Sequence, residues 1–214
     1  MLSYESYKTV EKEANDELTE KRSRFIGYCK PVKTEAEAVE YINSIKSKHW
    51  DARHNVYAYC IREGQTKRYS DDGEPQGTAG VPVLEVITKN EITDVVIVVT
   101  RYFGGILLGT GGLVRAYSAS AKKAVEAAEV INMVRCSVCT LVCDYNRYGK
   151  VSSIIPQSGG IIDESSFGAE VSITFHIEAC SLESFNKLLA DATCGELCTK
   201  VEYEDYFAMA EQQG

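Results

Sequence analysis

Two stretches of this 214-residue chain place chemically capable residue types at close spacing. The first runs Arg101-Tyr102-Phe103-Gly104-Gly105-Ile106-Leu107-Leu108-Gly109-Thr110-Gly111-Gly112-Leu113-Val114-Arg115-Ala116-Tyr117. It leaves an apolar run, passes five glycines and enters a helical pattern. Backbone amides laid bare by glycine at a helix N-terminus suit a phosphate or a carboxylate. The spacing puts Arg115 in the first turn of that helix, where a cation opposes the macrodipole by about a few tenths of a kcal/mol or more. An anion shared by Arg101, Arg115 and the backbone of Gly104, Gly105, Gly109, Thr110, Gly111 and Gly112 would relieve the conflict. The alternative is that the glycines serve strand–helix packing and Arg115 points to water. No Gly-Lys-Ser/Thr follows, and the glycines do not form a clean dinucleotide fingerprint.

The second stretch is Tyr69-Ser70-Asp71-Asp72-Gly73-Glu74-Pro75-Gln76-Gly77-Thr78-Ala79-Gly80-Val81-Pro82. Its polar loop, Ser70, Asp71, Asp72, Gly73 and Glu74, brings three carboxylates within four residues. Such a group can hold a hard cation such as Mg²⁺ or supply a general base. It also reads as turn chemistry, with Asp72-Gly73 as the turn and Thr78 or Gly80 capping the next helix. His54, between Arg53 and Asn55, either joins this polar site or caps a strand start. His49 and His54 are five apart, which is not one-face metal spacing on a helix, and no Ser-His-Asp order or nucleophile elbow occurs. In a strand, Cys139, Leu141 and Cys143 share one face while Cys136 takes the other, so the Cys136–Cys143 run reads as apolar packing rather than zinc. No metal and no cofactor are expected.

These residues need elements to hold them. Lys8 to Lys33 is extended, with Phe25-Ile26-Gly27-Tyr28 as a strand core. Thr34 and Glu37 form a capping box for a helix whose stripe is Ala38, Ile42 and Ile45. Asn55 to Ile61 alternates as a strand, Ser70 to Gly80 is a loop, and a short helix covers about Val83 to Thr88. Asp94 leads into Val95 to Thr100, apolar on both faces, hence a central strand of a covered sheet. A helix from about Leu113 to Ala128 follows. After Asn132 the pattern restarts as βαββαβ, the ferredoxin-like split unit. Its Phe167, Phe175 and Tyr203 read as core aromatics rather than a base-stacking face. The expected domains are therefore 1–132 and 133–214.

Composition bounds the function. Hydrophobic residues at 44% and charged residues at 25% are ordinary for a globular chain. The longest apolar run is Val95–Val99, far below the roughly 20 residues of a membrane span, so no membrane is expected. The N-terminus lacks the pattern of a secretory signal, and eight cysteines are expected to be reduced in a cytoplasm. The net charge of −8 argues against a basic nucleic-acid coat, but it is unevenly spread. Residues 1–132 hold 18 Lys+Arg against 19 Asp+Glu, or −1; residues 133–214 hold 5 against 12, or −7. The first half is balanced and can hold a local anion site.

With both motifs in view, the sequence resembles the IMPACT family in its bacterial YigZ branch. Arg53-His54-Asn55, Ser70 to Pro75 with Gly77-Thr78-Ala79-Gly80 and Pro82, and Arg101 to Gly105 with Leu108 to Tyr117 carry the likeness in order. The resemblance implies an α+β chain: an N-terminal domain like ribosomal protein S5 domain 2, then a ferredoxin-like domain resembling elongation factor G domain V. Eukaryotic members regulate translation under amino-acid starvation through a partner of an initiation-factor kinase; bacterial members are thought to bind nucleic acid or the ribosome. Leu107 departs from the pattern, where many relatives carry Lys. The expected function is a cytoplasmic translation-associated regulatory or binding protein, with Arg101 and Arg115 on RNA phosphates and a protein partner for the acidic second domain. Two readings compete: an enzyme for a phosphate-bearing or Mg²⁺-dependent substrate using Asp71, Asp72 and Glu74, and a pure protein-interaction module.

Overall fold

The computed structural model describes residues 6–208. The chain divides into two compact units, 7–132 and 133–214, with Ser6 grouping with the second.

The first unit contains β1 (Ser6–Val10), β2 (Ala14–Glu20), β3 (Ser23–Pro31), α1 (Glu35–Lys48), β4 (His54–Ile61), β5 (Thr66–Ser70), α2 (Gly80–Lys89), β6 (Val95–Tyr102) and α3 (Thr110–Ala128). Five of these strands form an antiparallel sheet in the order β2-β3-β6-β4-β5. β6 is central, and Val95 to Val99 are all fully buried. Both faces are apolar because both are covered. Val95, Ile97 and Val99 pack with Phe25 and Cys29 under α2 and α3, while Val96 and Val98 pack with Ile26 and Tyr28 under α1.

α1 starts as its sequence predicts, with the Thr34 hydroxyl accepting from the Glu37 amide at 3.2 Å. The reciprocal arm differs: the Glu37 carboxylate accepts from the Lys33 amide, one residue earlier than the box pattern places it. α2 and α3 both begin earlier than the periodicity indicates; in α3 the first turn, Thr110-Gly111-Gly112, carries no apolar stripe.

Antiparallel register decides what meets at the C-terminal end of β6. Arg24 lies opposite Tyr102 and His54 opposite Arg101. The β2–β3 turn, the residues before β4 and the loop after β6 therefore share one end of the sheet.

The second unit is formed by β7 (Val130–Cys143), α4 (Tyr145–Gln157), β8 (Ile161–Phe167), β9 (Val171–Glu178), α5 (Leu182–Thr193) and β10 (Lys200–Ala208). Its antiparallel order β10-β7-β9-β8 is the 4-1-3-2 arrangement of the ferredoxin-like unit. Asp144 caps α4, accepting from the Arg147 amide at 3.0 Å. Cys139, Leu141 and Cys143 line the core with Phe175 and Phe185, and burial pushes the Cys139 thiol up to about 11. Of the three expected core aromatics only Phe175 is interior. Phe167 and Tyr203 stand more than half exposed, because β8 and β10 are the two edge strands of this unit's 4-1-3-2 order and meet neighbours on one side only.

Candidate nucleic-acid interface

The polar loop between β5 and α2 is held by its own carboxylates, each aimed in a different direction. Asp71 turns toward α2 and accepts from the amides of Gly77, Ala79 and Gly80 at 2.8, 3.1 and 2.8 Å. It is the remote cap of a helix whose own N-cap residue, Ala79, has no capping side chain. Thr78 and Gly80 do not cap α2: the Thr78 hydroxyl donates to the Pro75 carbonyl instead, and Gly80 is the first helical residue. Asp72 accepts from the Asn55 amide at 2.6 Å and pairs with Lys46 at 2.8 Å. Its own amide donates to the Ser70 hydroxyl.

Glu74 points inward. One carboxylate oxygen receives the Arg101 guanidinium at 2.5 Å and the Tyr117 hydroxyl at 2.8 Å. Burial, and after it the Glu74 charge, drives the Tyr117 hydroxyl far above the ordinary phenol range, so it stays a donor. Arg101 is 5% exposed and lies between the rings of Phe25 and Phe103, at 5.4 and 5.6 Å from their centroids. A guanidinium this enclosed is a strut that ties β6 to the polar loop and α3. It does not reach an RNA phosphate, which corrects the role expected of it.

Arg115 is corrected as well. α3 starts at Thr110, so Arg115 stands in its second turn, beyond the reach of the first-turn dipole conflict. It lines a separate groove between α2 and α3 with Pro82, Val86 and Lys122. The shared anion site of Arg101 and Arg115 does not form. Nor do the three carboxylates converge on a cation: each is committed to protein donors, and among the described residues no group of three His, Cys, Asp or Glu is arranged to hold a metal ion.

The glycines divide by task. A Cβ on Gly104 would lie 2.0 Å from the Arg22 carbonyl and 2.4 Å from the Ser23 nitrogen, so its close approach is to the β2–β3 turn. Its amide donates to the Ser23 hydroxyl at 3.2 Å. Gly109, at φ 71°, turns the chain into α3, and no side chain caps that helix. Gly105 sits in the connecting loop; Thr110, Gly111 and Gly112 form the first turn of α3, with Thr110 and Gly111 exposed.

His54 does join the polar loop. Its Nδ1 lies 2.8 Å from the Asp72 carbonyl oxygen, which can only accept, so Nδ1 carries the proton. Nε2 then faces the Glu74 carboxylate at 3.7 Å. Beside it opens a groove of about 720 Å³, lined by Asp51, Ala52, Arg53, His54, Asp72, Gly73, Tyr102 and Phe103. Lys21, Arg22 and Arg53 are exposed at this end and make no side-chain hydrogen bond or ion pair among the described residues. Trp50, 83% exposed, directly precedes the groove residues. Motif reading passes over Lys21, Arg22, Lys48 and Trp50, because they come from segments about 50 to 80 residues before the glycine stretch. The one available signal is Trp50 itself, the chain's single tryptophan, set in a polar run.

The geometry thus defines a two-unit α/β protein whose first unit presents, at one end of its sheet, a groove lined by Arg53, Tyr102 and Phe103. Residues 21–125 match the Impact N-terminal domain and residues 141–196 a domain of unknown function (DUF1949). The IMPACT family member YvyE of Bacillus subtilis is 38% identical over 192 residues, 89% of this chain and 88% of its own. YigZ of Escherichia coli is 34% identical over 180 residues, covering 83% and 88%. A solved structure described as a hypothetical protein superposes with a TM-score of 0.60 at 30% identity, over 98% of this chain and 100% of that one. The chain belongs to the IMPACT family. None of its described helices is long and apolar enough to cross a membrane.

Proposed function

We propose that this chain is a cytoplasmic, translation-associated regulatory protein that binds RNA at the sheet end of its first unit. The observation that carries the reading is that Lys21, Arg22 and Arg53, exposed and without acidic partners among the described residues, share one end of the sheet, where Arg53 lines the groove. Uncommitted cations release counterions from a phosphate backbone, whereas cations already ion-paired contribute little. Lys48, over the Tyr28 ring at 5.0 Å, adds to the same end. Thr110 and Gly111, both exposed, open α3 without a side-chain cap. With 5 basic against 12 acidic residues, 133–214 repel a polyanion and suit a basic protein surface, such as one on the ribosome.

Binding of the full chain to RNA, measured against salt, tests this. Lys21→Ala, Arg22→Ala and Arg53→Ala together should lower affinity and reduce the slope of log K against log salt by about 2 for three phosphate contacts on single strands. Arg115→Ala should leave both unchanged. A folded triple variant with the wild-type affinity and slope refutes the reading.

A further inference from the structure

The aromatic rings at this end have no role in phosphate contact. Trp50 follows α1 and is 83% exposed; Phe103 forms part of the groove wall and is 47% exposed. Aromatic side chains are enriched at contact surfaces, and these two stand at the sheet end that carries the uncommitted cations. Phe103 is also held in place. The Arg101 guanidinium, locked by Glu74, sits over its ring, which fixes the ring's orientation before any ligand arrives.

Both charge signs meet at this end. Asp51 and Asp72 stand on the groove lining beside Arg53, while Lys21 and Arg22 occupy the β2–β3 turn at the same end of the sheet. Asp72 pairs with Lys46, whereas Asp51 accepts from the Tyr102 hydroxyl at 3.1 Å and has no ion-pair partner among the described residues. A phosphate is therefore disfavoured beside Asp51 and favoured at Arg53 and the β2–β3 turn. An uncharged ring carrying amino groups has the opposite preference. The ligand that satisfies both is a nucleic-acid strand with its backbone at those cations and its bases turned inward. A duplex cannot do this, since its bases are already stacked and their faces are closed.

We infer that the groove takes a single-stranded segment of RNA, with bases stacked on Trp50 and Phe103 and phosphates on Lys21, Arg22 and Arg53. This rests on the RNA-binding reading and specifies its substrate class. Stacking on aromatic side chains tolerates any base, so binding is sequence-tolerant. The groove volume of about 720 Å³ is in the range that encloses a small ligand, enough for a base or two rather than a helix.

Trp50 is the chain's only tryptophan, so its fluorescence reports this site directly. The full-length protein is titrated with a mixed-sequence 12-nucleotide RNA and, separately, with the duplex of the same sequence. The single strand should quench Trp50 saturably and bind more tightly than the duplex. Trp50→Ala and Phe103→Ala, followed by anisotropy of labelled RNA, should each weaken single-strand binding about 5- to 100-fold, the worth of one stacked base. Both should leave the salt slope and duplex binding as they are. Trp50, being exposed, can be truncated without loss of fold, and a thermal melt checks this. Wild-type affinity in both variants, absence of quenching, or equal binding of duplex and single strand overturns the inference. If RNA binding then still falls with the triple Lys21, Arg22 and Arg53 substitution, the broader reading survives. If the folded wild-type chain binds neither form, both fail.

Discussion

Glu74→Ala removes the acceptor shared by two buried donors of the first unit. The Arg101 guanidinium at 2.5 Å and the Tyr117 hydroxyl at 2.8 Å both lose their partner, and neither has solvent to turn to. Breaking a buried ion pair from one side costs about 3–5 kcal/mol, because a charge stays behind uncompensated. An orphaned hydroxyl works in the same direction. Against a typical stability of about 5–15 kcal/mol the loss is large, and for a chain of this size it corresponds to roughly 6–20 °C in Tm. Glu74→Gln, which keeps an acceptor for both donors, should cost less. The matching Arg101→Leu leaves a buried carboxylate that still holds Tyr117. Combining Glu74→Ala with Arg101→Leu should cost clearly less than the sum of the single changes, since no unpaired charge remains. Urea unfolding at pH 7, followed by circular dichroism, measures all four corners of this cycle. Single variants within about 1 kcal/mol of wild type, or strict additivity, would show that the pair is not the strut described here.

Other expectations can be checked more simply. Asp71→Ala deprives α2 of its remote cap and should cost about 1–2 kcal/mol, with faster hydrogen exchange at Gly77, Ala79 and Gly80; unchanged protection would contradict it. Gly104→Ala forces the β6–α3 loop away from the Arg22 carbonyl and should destabilise by about 1–3 kcal/mol in a thermal melt, with loss of RNA affinity. His49 bridges the hydroxyls of Tyr28 and Tyr102, and burial, then the Lys48 charge, holds it below the ordinary imidazole value of 6.5. A depressed imidazole is neutral in both states above about 6.5, so its contribution is complete there; as pH falls below that, the unfolded chain takes up the proton first and stability declines. His49→Gln should therefore lose less stability than wild type between pH 7 and pH 5, and an equal loss would exclude His49 as a source.

The legible part of the sequence was what local pattern controls. Val95–Val99 announces a doubly covered strand because five successive apolar residues leave no face for water, and all five are buried. The restart after Asn132 gives βαββαβ because each period change is visible along the chain. Thr34, Asp144 and the Cys139–Cys143 alternation behave as their spacing says. The two motif stretches also mark the right neighbourhood: His54, the polar loop and the residues after β6 do meet.

What one-dimensional reading could not supply was the direction of each charge. Arg101 and Arg115 look equivalent in sequence, 14 positions apart in one motif. Antiparallel pairing opposite His54 sends the first inward to Glu74, and a helix that begins at Thr110 sends the second into the groove beside α2. Likewise Asp71, Asp72 and Glu74 look like one cluster because they are adjacent in the chain. Three separate sets of donors draw them apart: the amides at the start of α2, the start of β4 with Lys46, and the interior. The cations left free for a ligand come from the β2–β3 turn and the residues before β4. These meet the β6–α3 loop only because the sheet register brings their ends together. Residue types and local periodicity therefore set the elements and the family of this protein. Which charges are consumed by the fold and which remain for a partner was decided by strand pairing, since a charge is available only where the tertiary structure leaves it unpaired and wet.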